Sequence, residues 1–146
     1  MSIKSGQLQE TIMGALSSQI ENANNFHALV PADSGSINSA ETQLGLLFAP
    51  DYCEYLLAFG AATFDGRELT GICKSERLSV VTATERARLF YPTFPISAYV
   101  VEELGFDHVL TVQDSSGRVY SYGPGDSGKK IAESLQDYLF PDYERE

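Results

Sequence analysis

Basic side chains are scarce in this chain. Its 146 residues hold 10 Lys and Arg against 20 Asp and Glu, a formal net charge of −10. That balance excludes nucleic-acid binding as a main role, because phosphate backbones are held by positive surfaces. Cysteines number two, Cys53 and Cys73. They form no CxxC motif and are too few for a disulfide scaffold, so free thiols in a reducing compartment are expected. The longest apolar runs fall well short of a membrane span. The N-terminal MSIKSGQLQE has no apolar signal core. A soluble, cytoplasmic protein with no membrane partner is the expectation.

Recognisable chemistry is equally sparse. The two histidines, His27 and His108, are distant in sequence and have no HxH or HxxxH partner. DGRE at 65–68 is acidic but lacks the alternating oxygen ligands of a calcium loop. GPGDSGKK at 123–130 has glycines followed by lysines, but its spacing fits no phosphate loop and no Ser or Thr follows the lysines. It reads as a loop leading into a helix, with Ser127 as cap. No GxSxG elbow occurs. Cys53 and Cys73 lack an evident His partner. Glu102 and Glu103 are adjacent on a predicted strand and so point to opposite faces, which makes no acid–base pair. No catalytic residue, cofactor or metal is expected.

The sequence does carry a clear order of elements. Leu8, Ile12, Leu16 and Ile20 recur every fourth residue and predict an amphipathic helix over 7–24. PADSGSINS at 31–39 reads as a loop. A short helix follows, capped by Asn38 or Ser39 and closed by Gly45. Pro50 and Asp51 suit the start of a second helix, and Gly60 its left-handed end. Strands are predicted over 69–72 and 78–82, with Asp65-Gly66 as a turn. A helix over 84–91 is capped by Thr84 and ended by Pro92. Three strands follow, at 98–104, 108–113 and 118–122, the last two joined by a turn at 114–117. A helix over 129–140 closes the chain. Hairpin-length links cannot make parallel pairs, so the expected fold is α+β: one domain over residues 1–146, core about 7–140, with a mostly antiparallel central sheet flanked by N- and C-terminal helices.

The succession of short motifs resembles the SUKH superfamily, which includes a fungal cell-wall-synthesis regulator and many bacterial immunity proteins. Glu41, Leu44, Gly45, Pro50 and Tyr52 match its first motif. Gly60, Leu69 and Gly71 match the second, and Asp114, Gly117, Val119, Tyr120 and Ser134 the last. The resemblance covers about residues 37–140. Ala49 replaces the usual Leu before Pro50, and Ala61–Ala62 stand where a second glycine is common. The resemblance implies an α+β fold, no catalysis, and a protein partner. The expected function is therefore immunity: binding a cognate secreted toxin, such as a nuclease, and occluding its active site with an acidic surface. A scaffold or regulatory adaptor for endogenous proteins is the alternative.

Charge places the candidate contacts. Residues 1–60 hold six acids and one base, residues 61–97 four acids and five bases, and residues 98–146 ten acids and four bases. Acids near predicted loops and strand ends are the candidate partner-binding residues: Asp65, Glu68, Glu102, Glu103, Asp107 and Asp114.

Overall fold

The structure, a computed structural model, describes residues 15–105 and 108–141. Among these residues it contains five helices and two antiparallel sheets. Helix α1 covers 15–21 and buries Leu16 and Ile20. Residues 7–14 of the helix expected over 7–24, with Leu8 and Ile12, lie outside the described residues. Helices α2 (Ser34–Leu44) and α3 (Pro50–Phe59) follow, then α4 (Val80–Phe90) and α5 (Leu135–Leu139). The first sheet orders β1 (His27–Ala28), β2 (Ala62–Phe64) and β3 (Arg67–Glu68). The second orders β4 (Ala98–Glu103), β5 (Leu110–Asp114), β6 (Val119–Gly123) and β7 (Asp126–Ala132). A bridge from Leu69 to Glu102, with Thr70 N donating to Val101 O at 2.9 Å, joins the two. The expected α+β class with antiparallel pairing is what is found.

Strand β4 explains how the layers stack. Tyr99 and Val101 join a core with α1, α2, α3 and α5, while Ala98 and Val100 join a second core under α4. Both faces are buried, so AYVV reads as a continuous apolar run instead of alternating. A bulge between Val100 and Glu102 then shifts the register and turns the end of the strand.

The glycines of the FGAATFDGRELTGI stretch are steric devices. Gly60 takes a positive φ of 71°, and a Cβ there would stand 2.0 Å from Val30 O. A Cβ on Gly71 would stand 1.9 Å from Gly60 O. These two residues let three chain segments pass at backbone contact, and Ile72 N seals the crossing by donating to Gly60 O at 2.9 Å. Between them, Asp65 and Gly66 have φ of 52° and 75°. Left-handed backbone at both positions suits the two-residue hairpin joining β2 to β3.

Several sequence expectations are corrected. Helix α2 begins at Ser34, capped by Asp33, whose carboxylate accepts from Ser36 N at 2.8 Å. Loop-like residues there are overridden because Ile37, Ala40 and Leu44 share a buried face. Residues 78–82 are not a strand. A 3-10 turn at Glu76–Leu78 leads into α4, capped by Ser79. Its β-branched start is helical because Val80, Ala83, Thr84 and Ala87 form one buried stripe. Thr84 is no cap. Its hydroxyl accepts from Val100 N at 3.0 Å and ties α4 to β4. Residues 69–72 make only the bridges Leu69–Glu102 and Gly71–Ser79. The closing helix is short, because 126–132 form strand β7 and α5 starts only after its cap Ser134.

Candidate partner-binding surface

A polar groove of about 670 Å³ opens where the β2–β3 hairpin meets the end of β4. His27 and Thr63 line one side, Arg67 and Glu68 the hairpin edge, and Glu102 and Glu103 the strand end. Three of the six candidate acids are therefore brought together. The Leu69–Glu102 bridge does this, by laying residues 67–70 antiparallel to β4.

Each of the three carboxylates already faces an arginine of the same chain. Glu102 is 5% exposed and receives the Arg67 guanidinium at 3.4 Å on each oxygen. It also accepts the Tyr138 hydroxyl at 2.6 Å. Burial and that carboxylate push the Tyr138 phenol up to about 12, so it stays a proton donor at neutral pH. Arg67 lies over the Tyr138 ring, 4.9 Å from its centroid, which adds a cation–π contact. Tyr138 is bonded to Thr111 as well, so one network joins β3, β4, β5 and α5. Glu68 pairs with Arg77, and both are largely open to solvent. Glu103 pairs with Arg86 of α4 at 3.0 Å.

The other candidates lie elsewhere. Asp65 stands beyond the groove lip at the hairpin turn. Its Oδ1 accepts from Asn24 N at 3.1 Å, and its own N–H donates to Asn24 O at 2.7 Å, which docks the turn on the segment after α1. Asp114 pairs with Ala98 at the far end of β5 from the Glu103–Leu110 pair. It shapes the β5–β6 turn by accepting from Ser116 N at 3.0 Å. Asp107 lies outside the described residues.

The strongly perturbed titratable groups belong to the core, not to the groove. Ala49 N donates to Tyr99 Oη at 2.8 Å, and Tyr99 donates to Gln113 Oε1 at 2.7 Å. Gln113 Nε2 donates to Asp51 Oδ1 and to Gly117 O, both at 3.0 Å. Asp51 Oδ2 accepts from Leu135 N at 2.8 Å. Burial raises the Asp51 carboxyl above its ordinary range against these hydrogen bonds. Burial also holds the Tyr52, Tyr55 and Tyr99 phenols well above theirs. The Cys53 thiol is pushed up to about 11, away from the activated range of a nucleophile. Sequence reasoning missed Gln113 as the hub of this chain. Its only signal was a polar residue inside the apolar run VLTVQ.

Among the described residues no group of three or more His, Cys, Asp or Glu is placed to hold a metal ion, and no helix is long and apolar enough to cross a membrane. The groove offers carboxylates to a cationic group and backbone edges to hydrogen-bonding partners, a surface suited to a protein.

No curated protein matches the chain. A family model does, described as SUKH_5, SMI1-KNR4 cell-wall, over residues 11–142. The match reaches N-terminal to the motifs that carry the resemblance and takes in all of α1. With nearly its whole length matched, this chain belongs to the SUKH (SMI1-KNR4) family.

Proposed function

We propose that the protein is a non-enzymatic immunity protein that captures a basic secreted toxin and occludes its active site. The observation that carries this reading is the convergence of Glu68, Glu102 and Glu103 on one groove in a chain of net charge −10. A field of that sign speeds the approach of a basic partner and orients it. The resident arginines do not block the site. Exposed ion pairs such as Arg77–Glu68 and Arg86–Glu103 contribute about 0–1 kcal/mol each, so a toxin Lys or Arg can take over Glu68 or Glu103 at small cost. Glu102, buried and doubly bonded, stays in place as a fixed negative wall. Asp65 at the lip extends the acidic rim.

The test is coexpression with the toxin encoded beside the gene. Protection is expected, and Glu68→Ala combined with Glu103→Ala should weaken it while the protein remains folded. Cell death with both native proteins folded and present would refute the reading.

A further inference from the structure

Large apolar side chains stand open to solvent around the C-terminal end of α4. Leu89 is 87% exposed, Ile96 76%, Leu47 64% and Phe90 52%. Scattered single leucines on a surface need no explanation, but a grouped set does. Arg88 makes this a group. Its guanidinium donates to Leu44 O at 2.9 Å and to Ile96 O at 3.0 Å. The segment leading to Leu47, the end of α4 and the turn bearing Ile96 are thereby pinned to one another. The result is a preformed plate, not a set of mobile loop tips.

The charged groups at its margin are already satisfied within the chain. Glu85 accepts from Gln43 at 3.4 Å, and Arg86 holds Glu103. Covering the plate therefore strands no charge, which would otherwise oppose burial.

We propose that this plate is a self-association face, and that its occupant is a second copy of the chain related by a two-fold axis. Charge decides between occupants. Each copy carries −10, so two copies repel wherever their acidic surfaces meet. The plate lies mostly in the one stretch, residues 61–97, where bases outnumber acids, five to four. The face least hostile to a second acidic chain is thus also the apolar one, as homodimer interfaces tend to be. A basic toxin is drawn instead to the carboxylates of the groove. Self-association here is independent of any toxin and leaves the proposed groove contacts at Glu68 and Glu102 untouched.

Sedimentation of the full chain at about 100 µM, in about 50 mM and about 500 mM salt, tests this. A dimer is expected, tighter at high salt because screening removes the repulsion between like-charged copies. Leu89→Asp and Ile96→Asp should each weaken it at least ~10-fold with unchanged melting temperature, since both side chains are mostly exposed. A monomer in both salts would overturn the inference. So would a dimer that ignores both substitutions, or one that salt weakens. A chain that stays monomeric but loses toxin capture on Leu89→Asp would give the plate to the toxin and overturn it too.

Discussion

The polar chain from Tyr99 through Gln113 to Asp51 and the carboxylate groove at Glu68, Glu102 and Glu103 share strand β4, yet they answer to water in opposite ways. In the first, every donor and acceptor is bonded inside the core, and Gln113 and Tyr99 are fully buried. In the second, two of the three ion pairs stand in solvent. Burial makes a polar group costly to leave unpaired, whereas exposure makes its partner replaceable. The first cluster therefore specifies the fold, and the second is free to exchange partners. Glu102 sits on the border, with its carboxylate facing the groove but nearly excluded from water.

The largest effect should come from breaking the buried chain. Gln113→Leu keeps the volume but strands the Tyr99 hydroxyl, one oxygen of Asp51 and Gly117 O. A loss of about 3 kcal/mol or more is expected in urea unfolding, with toxin capture unaffected at temperatures where the protein is folded. Next comes Glu102→Ala, which frees Arg67 and Tyr138 from their shared acceptor. It should cost about 2 kcal/mol and weaken capture as well, because this one carboxylate serves both clusters. A stability loss below that of Glu68→Ala would erase the distinction between buried and exposed members.

Asp51 sharpens the comparison through pH. Its folded-state carboxyl is raised above the model value of 3.8 because burial outweighs its hydrogen bonds. A raised carboxyl favours the protonated native state. Its contribution is thus fully present below the unfolded value and is lost as pH rises through the folded one. Asp51→Asn cannot ionise, so the substitution should cost more stability at about pH 4 than at about pH 7. Paired urea titrations read the difference. A cost that grows with pH would mean that Leu135 N–H and Gln113 outweigh desolvation.

How much of this was legible in the sequence depends on which forces set each element. Gly45, Pro50 and the Asp65-Gly66 turn act through local backbone preference, and all three were placed correctly from residue type. The strands at 98–104, 108–113 and 118–122 announce themselves by apolar runs between turns. Val80–Thr82 and the start of α2 were misread because burial against distant partners overrode local propensity. Residues 126–132 were misread for a related reason. Lys129, Lys130 and Ile131 look helical, but pairing with β6 makes them an edge strand. For the site, the sequence named Glu68, Glu102 and Glu103 from charge and loop position alone. It had no means of showing that each would meet an arginine, because Arg67–Glu102 and Arg86–Glu103 are 35 and 17 residues apart and meet only after the sheets join.

Those arginines supply the smallest effect and the most pointed one. Arg77 and Arg86 screen the very carboxylates proposed to meet the toxin. If they served stability, removing them would loosen the fold. Their exposure argues against that, and Arg77→Ala or Arg86→Ala should each change stability by less than about 0.5 kcal/mol. If they only mask the groove, removing them uncovers Glu68 and Glu103 and deepens the negative field. Association with the basic toxin should then become several-fold faster at low salt, and the gain should vanish at about 500 mM salt as screening takes over. Stopped-flow association of the double variant separates the alternatives. Slower capture at low salt would mean that the arginines themselves touch the toxin, and that the site is a mixed-charge surface instead of an acidic one.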